Sequence, residues 1–249
     1  MSKQKISNWG GYPVVESEII KMNHPGTFSG KRGDTIARGL GRSYGDSSLA
    51  ETIVDVTGMD RFLAFDDETG VLRCEAGVSF ATILEFFVPK GWFLPVTPGT
   101  KFITVGGAIA SDVHGKNHHK EVCFGNWVSE MKILLASGET ILCSPTEKSD
   151  LFYATIGGMG LTGIILEAEF ALKKIETSFI KQEALPAENL DTVMRLFDES
   201  KEFTYSVAWI DCLAKGKNLG KSILFRGEHA NLIDIKDTPF ANTPLFYHN

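Results

Sequence analysis

The sequence has no apolar run of the ~18 residues that a membrane-spanning helix requires. No apolar segment near its N-terminus resembles a signal peptide. Cations are in the minority, with 25 lysines and arginines against 31 aspartates and glutamates and a formal net charge of −6. Because the sequence also has no basic stripe, a nucleic-acid partner is not expected. These absences predict a cytoplasmic protein without an integral membrane segment, whose contact with the inner membrane, if any, is peripheral.

Cysteine is scarce, and no C-x-x-C pair occurs. The four cysteines are Cys74, Cys123, Cys143 and Cys212. Their scatter predicts reduced, mostly buried thiols rather than a disulfide framework. A G-x-S-x-G elbow around a nucleophilic serine is also absent. Neither disulfide scaffolding nor serine-hydrolase chemistry is therefore indicated.

Glycine, in contrast, is abundant, with 25 residues. Residues 37–46 hold three glycines, so successive backbone N–H groups can form an anion-binding nest, and Arg38 and Arg42 add charge. Residues 98–107 form a second loop of this kind. Two nests suit a dinucleotide, whose pyrophosphate takes donors from both sides, although ordinary surface turns remain an alternative interpretation of each.

A third glycine set, Gly158 to Gly163, matches G-x-G-x-x-G. A Rossmann site requires a strand before this motif and a helix after it. Here a helical pattern precedes the motif and a strand pattern begins at Ile164, so a Rossmann site is not predicted. Contact between the backbone of this segment and a ligand remains an alternative interpretation of the motif.

Residues 106–119 run from small residues into a cluster that holds three of the six histidines. His114 and His118 have the i, i+4 spacing that can share a zinc ion on a helix. However, Gly115 and Asn117 disfavour a helix between them, and the carboxylate of a metalloprotease motif is missing. No metal is predicted, and a hydrogen-bonded histidine loop is the alternative to an active site.

Hydrophobic periodicity predicts the elements around these loops. Ser79 is a plausible N-cap for a helix over 80–87. The other predicted elements are strands at 52–56, 71–75, 128–135, 140–143 and 164–172 and a helix at 149–156. After about Lys174 the pattern predicts a helix at 190–197, introduced by Pro186, and strands at 205–209 and 222–226. The predicted domains are residues 1–176 and 177–249, the second being an incomplete α+β unit.

Four blocks, residues 37–46, 98–107, 106–119 and 154–165, together resemble the FAD-linked oxidases of the vanillyl-alcohol-oxidase type. The string from His114 to His119 is the most specific part. Within that family the sequence is most similar to oxidases of polyprenylphosphoryl sugars. The resemblance implies an α+β fold, in which a PCMH-type FAD-binding domain of two α+β subdomains is followed by part of a substrate (cap) domain.

The resemblance also implies a set of FAD-binding residues. They are Ala37, Arg38, Gly39, Leu40, Gly41, Arg42, Ser43, Tyr44, Gly45, Asp46, Ser47, Gly99, Thr100, Thr104, Val105, Gly106, Gly107, Ser111, Asp112, Val113, His114 and Ile165. Relatives with covalently attached flavin carry a histidine directly before the serine of the first loop. This sequence has Arg42 there, so noncovalent FAD is implied.

The implied reaction is hydride transfer from a secondary alcohol of a sugar to flavin N5, while a base takes the hydroxyl proton. His114 and Lys116 are the implied catalytic candidates, and a partner reductase is a further expectation. Two departures from the family stand out: the segment between Met22 and Ile36 is short, and the family continues well beyond residue 249. A sugar-lactone or alditol oxidase, and a truncated or non-catalytic FAD-binding subunit that needs a partner, are the alternatives.

Overall fold

The structure, a computed structural model, describes residues 3–28 and 33–247. Its strands are β1 (Gln4–Ser7), β2 (Val14–Lys21), β3 (Thr35–Arg38), β4 (Thr52–Asp55), β5 (Phe62–Phe65), β6 (Val71–Glu75), β7 (Trp92–Phe93), β8 (Val128–Leu134), β9 (Thr140–Cys143), β10 (Ile164–Ala171), β11 (Lys173–Lys174), β12 (Ile180–Ala187), β13 (Tyr205–Ile210) and β14 (Ser222–His229). Its α-helices are α1 (Phe80–Phe87), α2 (Val105–Ala110), α3 (His118–Glu121), α4 (Ser149–Thr155), α5 (Leu190–Glu199) and α6 (Leu232–Ile235). The fold is mixed α+β, and none of the helices in the described ranges has both the length and the apolar character to cross a membrane.

The first sheet has the order β1-β2-β4-β3. β2 and β3 run parallel to the central β4, whereas β1 is antiparallel to β2. Ile53 and Val54 point to opposite faces of β4, and both are fully buried. A parallel strand that is covered on both faces reads as a continuous apolar run, which explains why the sequence pattern at 52–56 was sufficient to predict β4.

The second sheet is antiparallel, in the order β5-β6-β10-β8-β9. It confirms the predicted strands at 71–75 and 164–172 and the hairpin of 128–135 with 140–143. Helix α1 packs on this sheet through Phe80, Ile83 and Phe87. Its predicted cap is also confirmed, because Ser79 Oγ accepts a hydrogen bond from Thr82 N at 3.0 Å.

The third sheet has the order β12-β14-β13 and is antiparallel. Helix α5 covers one face, and Ala187, Val193 and Leu224 are the buried residues between them. The prediction that Pro186 introduces the helix is wrong, because Pro186 lies within β12 and Asn189 caps α5. β12 is an edge strand, where a residue without an N–H is tolerated.

Hydrogen bonds join the third sheet to the rest of the chain. Ser206 N donates to Lys116 O at 2.9 Å, and His119 Nε2 lies 2.7 Å from Phe203 O. At the same end of the sheet, the rings of Phe93 and His229 are in contact, with centroids 4.9 Å apart. The predicted domain boundary at residue 176 falls between β11 and β12, and it stays a prediction.

Candidate functional site

A cleft of about 440 Å³ opens between the first and second sheets. Three chain segments form its walls: the loop after β3, the segment that includes α2, and the turn before β10 together with the start of that strand. The predicted cofactor residues on the walls are Ala37, Arg38, Gly39, Leu40, Gly41, Arg42, Ser43, Tyr44, Gly45, Ser47, Thr104, Gly106, Gly107, Ser111, Val113 and Ile165. The first two glycine-rich segments of the sequence therefore meet in one cavity, which we call the FAD cleft below.

The loop after β3 approaches α2 so closely that only glycine fits at one point. A Cβ atom on Gly39 would overlap the side chain of Thr104, which caps α2. Gly41 adopts a left-handed backbone conformation with φ of 63°, where an L side chain is strained. These glycines thus shape the wall as well as leaving room for a ligand.

The two arginines of this loop have different surroundings. The half-buried guanidinium of Arg38 bonds to Asn8 Oδ1, to Ser7 O at 2.8 Å and to Ser48 Oγ at 3.1 Å. Burial lowers the pKa of Arg38, and the charge of Asp55 opposes that shift. Arg38 therefore ties the loop to β1. Arg42 is exposed, and among the described residues its guanidinium bonds through Nε to Phe102 O, at 3.2 Å, and through no other nitrogen.

The second wall differs from the predicted anion nest. Gly106 N donates to Ala76 O at 2.8 Å, and Gly107 N donates to Thr104 Oγ1 at 3.2 Å. Both N–H groups are thus satisfied inside the protein. A Cβ atom on Gly106 would lie 3.0 Å from Ala76 Cβ. The expectation that these N–H groups bind an anion is wrong, and the glycines serve close packing of α2 against β6.

The third wall comes from the glycine set before β10. Met159, Gly160 and Gly163 line the cleft and have positive φ values of 52°, 80° and 151°. The chain order is α4, glycine turn, β10, which confirms that the motif is not of the Rossmann type. The wall residues that the sequence did not predict are Ser48, Val56, Ala76, Ile103, Ala110, Met159, Gly160 and Gly163. For the last three, the G-x-G-x-x-G string was the available signal.

Some predicted cofactor residues do not line the cleft. They are Asp46, Gly99, Thr100, Val105, Asp112 and His114. Val105 is fully buried in the core of the second sheet. Asp112 turns away from the cleft and accepts a hydrogen bond from Gly125 N at 2.9 Å. Direct contact between these residues and FAD stays a prediction.

Residues 112–123, the His loop below, have an unusual backbone at each end. Asp112 has φ of 39° and Val122 has φ of 53°, a conformation that is rare for non-glycine residues and exceptional for a β-branched one. His114 pairs with Cys123 in an isolated β-bridge. Asn117 is fully buried and donates to Pro95 O at 2.7 Å. These contacts hold the loop in one shape.

The two catalytic candidates are exposed on the His loop. The ring of His114 lies 5.4 Å from the ring of His118, centroid to centroid. The two are not on one helix, since α3 begins at His118. Over residues 3–28 and 33–247, no three His, Cys, Asp or Glu side chains are placed to hold a metal ion.

The cysteines are all free. Burial raises the pKa of Cys74, and it raises that of Cys143 to about 11, so both thiols stay protonated. Cys123 is half-buried and Cys212 is exposed, so the prediction of mostly buried thiols is confirmed for only two of the four. None of them lines the FAD cleft.

The walls fit the two chemical parts of FAD. Val56, Ala76, Ala110 and Ile165 supply apolar surface for a planar ring system. The hydroxyls of Ser43 and Ser47 and the guanidinium of Arg42 supply donors for a pyrophosphate. The tight contacts at Gly39 and Gly106 bring backbone close to the cavity.

Comparison with known proteins agrees with this geometry. Residues 28–144 match the model of the FAD binding domain. Over 243 residues the chain is 37% identical to decaprenylphosphoryl-beta-D-ribose oxidase of Mycolicibacterium smegmatis, covering 92% of this chain and 53% of that protein. Over 159 residues it is 31% identical to a putative D-arabinono-1,4-lactone oxidase of Neurospora crassa, covering 64% and 28%.

A more distant relative is the Delta(24)-sterol reductase of Homo sapiens, 28% identical over 140 residues, covering 56% of this chain and 27% of that protein. The chain spans about half the length of the first of these relatives and less of the others. Residues 28–144 of the chain are thus similar to the FAD binding domain family, as the resemblance predicts, and the comparisons support FAD as the cofactor.

Proposed function

We propose that the protein binds FAD noncovalently in the FAD cleft and oxidises a secondary alcohol of a sugar carried on a polyprenyl phosphate. The observation that carries this proposal is the convergence of three glycine-rich segments on one cavity between two sheets. Bound FAD supplies the hydride acceptor. The loop after β3 and the segment that includes α2 would hold this cofactor, which would take the hydride of the alcohol, while a base of this chain would take the hydroxyl proton and a ketone would remain.

The side chains on the walls support noncovalent binding. Among the described residues that line the cleft there is no histidine and no cysteine, two residue types that can bond covalently to a flavin ring. Arg42 occupies the place at which covalent relatives carry a histidine. It is exposed, and its terminal nitrogens have no partner within residues 3–28 and 33–247, so it would pair with the pyrophosphate instead.

The His loop supplies the proton acceptor in this proposal. Val113 lines the FAD cleft, and His114 follows it on the exposed side of the loop. An imidazole accepts and releases protons near neutral pH. Lys116 lies two residues further on, and its ammonium has no hydrogen-bond or ion-pair partner among the described residues. We assign proton transfer to His114 and substrate orientation to Lys116.

The domain organisation belongs to the same proposal. The first and second sheets would be the two subdomains of the FAD-binding domain, residues 1–176. The third sheet would begin the substrate domain, residues 177–249. Its position beside the His loop, through the bond from Ser206 N to Lys116 O, supports a substrate site between the two domains.

The test is a flavin titration followed by anaerobic reduction. The purified protein should be yellow or become yellow with FAD, and acid precipitation should release the flavin into the supernatant. A farnesylphosphoryl ribose should then bleach the flavin absorbance without oxygen. A protein that stays colourless with excess FAD would contradict the proposal. Bleaching by D-arabinono-1,4-lactone alone would favour a sugar-lactone oxidase.

A second candidate is an FAD-binding subunit whose substrate side is completed by a further polypeptide. The third sheet favours it, because Trp209 is 72% exposed and Leu213 is 86% exposed on or beside the face not covered by α5. This candidate predicts bound FAD that the sugar does not reduce until the partner is added. A partner reductase that reoxidises the flavin would be detected by the same assay under turnover.

A further inference from the structure

A second cleft, of about 340 Å³, lies between the His loop and the third sheet with its helix α5. Lys116, His118 and His119 reach it from the His loop. Lys201 and Ser206 reach it from the other side, where Asp198 is its one carboxylate. The protein as a whole has a net charge of −6. This cleft therefore differs from the rest of the protein in its concentration of cationic and hydrogen-donating groups.

Several of these groups have unused donors. Over the described part of the chain, Lys116 Nζ and Ser206 Oγ have no hydrogen-bond or ion-pair partner. His118 contacts Cys123 Sγ through Nδ1 at 3.7 Å, which leaves its Nε2 free. Lys201 Nζ pairs with Asp198 Oδ1 at 2.8 Å, but both side chains are about 70% exposed, and such a pair is weak in water.

Three hydrogen bonds join the two sides of the cleft. His119 Nε2 lies 2.7 Å from Phe203 O, and Lys120 Nζ donates to Glu202 O at 2.5 Å. Together with the bond from Ser206 N to Lys116 O, these contacts bring the unused donors of both sides to one cavity.

We propose that the second cleft binds a phosphate group, and, resting on the proposed function, that this phosphate is the one attached to the sugar substrate. The His loop is the wall that the two clefts share: Val113 lines the FAD cleft, and Gly115 and Lys116 line the second. Because His114 lies between Val113 and Gly115 in the chain, a phosphate held in the second cleft would place the attached sugar on the His114 side of the loop.

The experiment is calorimetric titration of the FAD-loaded protein with inorganic phosphate and with ribose 5-phosphate. Lys201→Gln and Ser206→Ala should each weaken binding, the lysine change by about tenfold because a charge-assisted bond is lost. Asp198→Asn should tighten binding, since it removes the repelling carboxylate and frees Lys201. Lys217→Gln, which changes an exposed lysine outside the cleft, is the matched control and should change nothing.

Equal phosphate affinity in the Lys201→Gln and Lys217→Gln proteins would overturn the inference. That result would leave the proposed function intact if the protein is yellow and its flavin is reduced. Conversely, a colourless protein would refute the proposed function, and the same titration on the flavin-free chain would still decide whether the cleft takes phosphate.

Discussion

The FAD cleft and the third sheet are held in place by different forces. The cleft stands on a large apolar core, in which Phe80, Phe124 and Phe170 are fully buried and the rings of Phe124 and Phe170 lie 5.1 Å apart. The third sheet has a core of only Ala187, Val193 and Leu224, and mainly polar contacts join it to the His loop. The free energy of apolar burial increases with the buried area, so a large core is costly to separate. A region that is joined by a few hydrogen bonds opens at a lower cost. The cofactor side is therefore the rigid one, and the substrate side is the one that can adjust.

The largest effect that tests this contrast is on stability. Phe124→Ala should lower the free energy of unfolding by about 3–5 kcal/mol, the cost of a cavity left by a buried phenylalanine. Phe197→Ala removes a half-buried ring from α5 and should cost only about 1 kcal/mol. Denaturant unfolding followed by tryptophan fluorescence measures both. Equal losses would show that the third sheet is as firmly packed as the cofactor side.

A second test changes the cleft without touching the core. In Gly39→Ala the new methyl group overlaps the Thr104 side chain, so the loop must move, and FAD affinity should fall about a hundredfold, or about 3 kcal/mol. Gly26→Ala is the control, because its methyl group would meet only the flexible ring of His24, at 3.4 Å. Fluorescence titration with FAD gives both affinities. Unchanged FAD affinity in Gly39→Ala would show that the loop after β3 can move away from Thr104 without weakening FAD binding.

The same contrast explains how much could be predicted from the sequence. The strand at Val71–Glu75 and the helix at Phe80–Phe87 were predicted because their apolar periodicity reports a large core. The β-α-β-β pattern after Lys174 implied a strand before α5 but gave no bounds for it, because most residues of β12 are exposed and it includes Pro186. The third sheet has a small buried core, so the apolar periodicity that predicts a strand is weak there.

At the site, the sequence located the glycine-rich segments but not how their atoms are used. The string around Gly106 suggested free N–H donors, yet those donors bond to Ala76 and Thr104. Arg38 and Arg42 looked alike, although one is committed to the fold. Composition shows which groups are present, and only tertiary contacts show which remain available to a ligand.

A smaller effect is expected at the His loop, where the two regions meet. Asp112→Ala leaves Gly125 N without its acceptor and should cost about 1–2 kcal/mol of stability. FAD binding should persist, because Asp112 points away from the cleft, while flavin reduction should slow about tenfold. Asp112→Asn keeps an acceptor oxygen and should rescue both, and hydrogen exchange at Gly125 reports the bond itself. Loss of FAD binding in Asp112→Ala would instead support the predicted cofactor contact.

The smallest effect is a pH dependence confined to the third sheet. Burial lowers the pKa of His229, and the nearby charge of Lys173 adds to that shift, against the bond to Thr177 O and the charge of Glu228. The folded chain therefore binds fewer protons at this position than the unfolded one. Stability is complete above the usual histidine pKa of about 6.5 and is lost as the pH falls from there toward the depressed folded value.

Hydrogen exchange, expressed relative to the intrinsic exchange rate at each pH, should accordingly rise in β13 and β14 as the pH falls from 7 to 5, while β6 and β10 stay protected. His229→Gln, which cannot be protonated, should abolish that rise, and His24→Gln, at an exposed position outside the third sheet, should not. Because Phe93 contacts the His229 ring, protonation acts where the two regions touch. A uniform rise across all four strands would show that the sheets open together, and the contrast between a rigid cofactor side and an adjustable substrate side would then be lost.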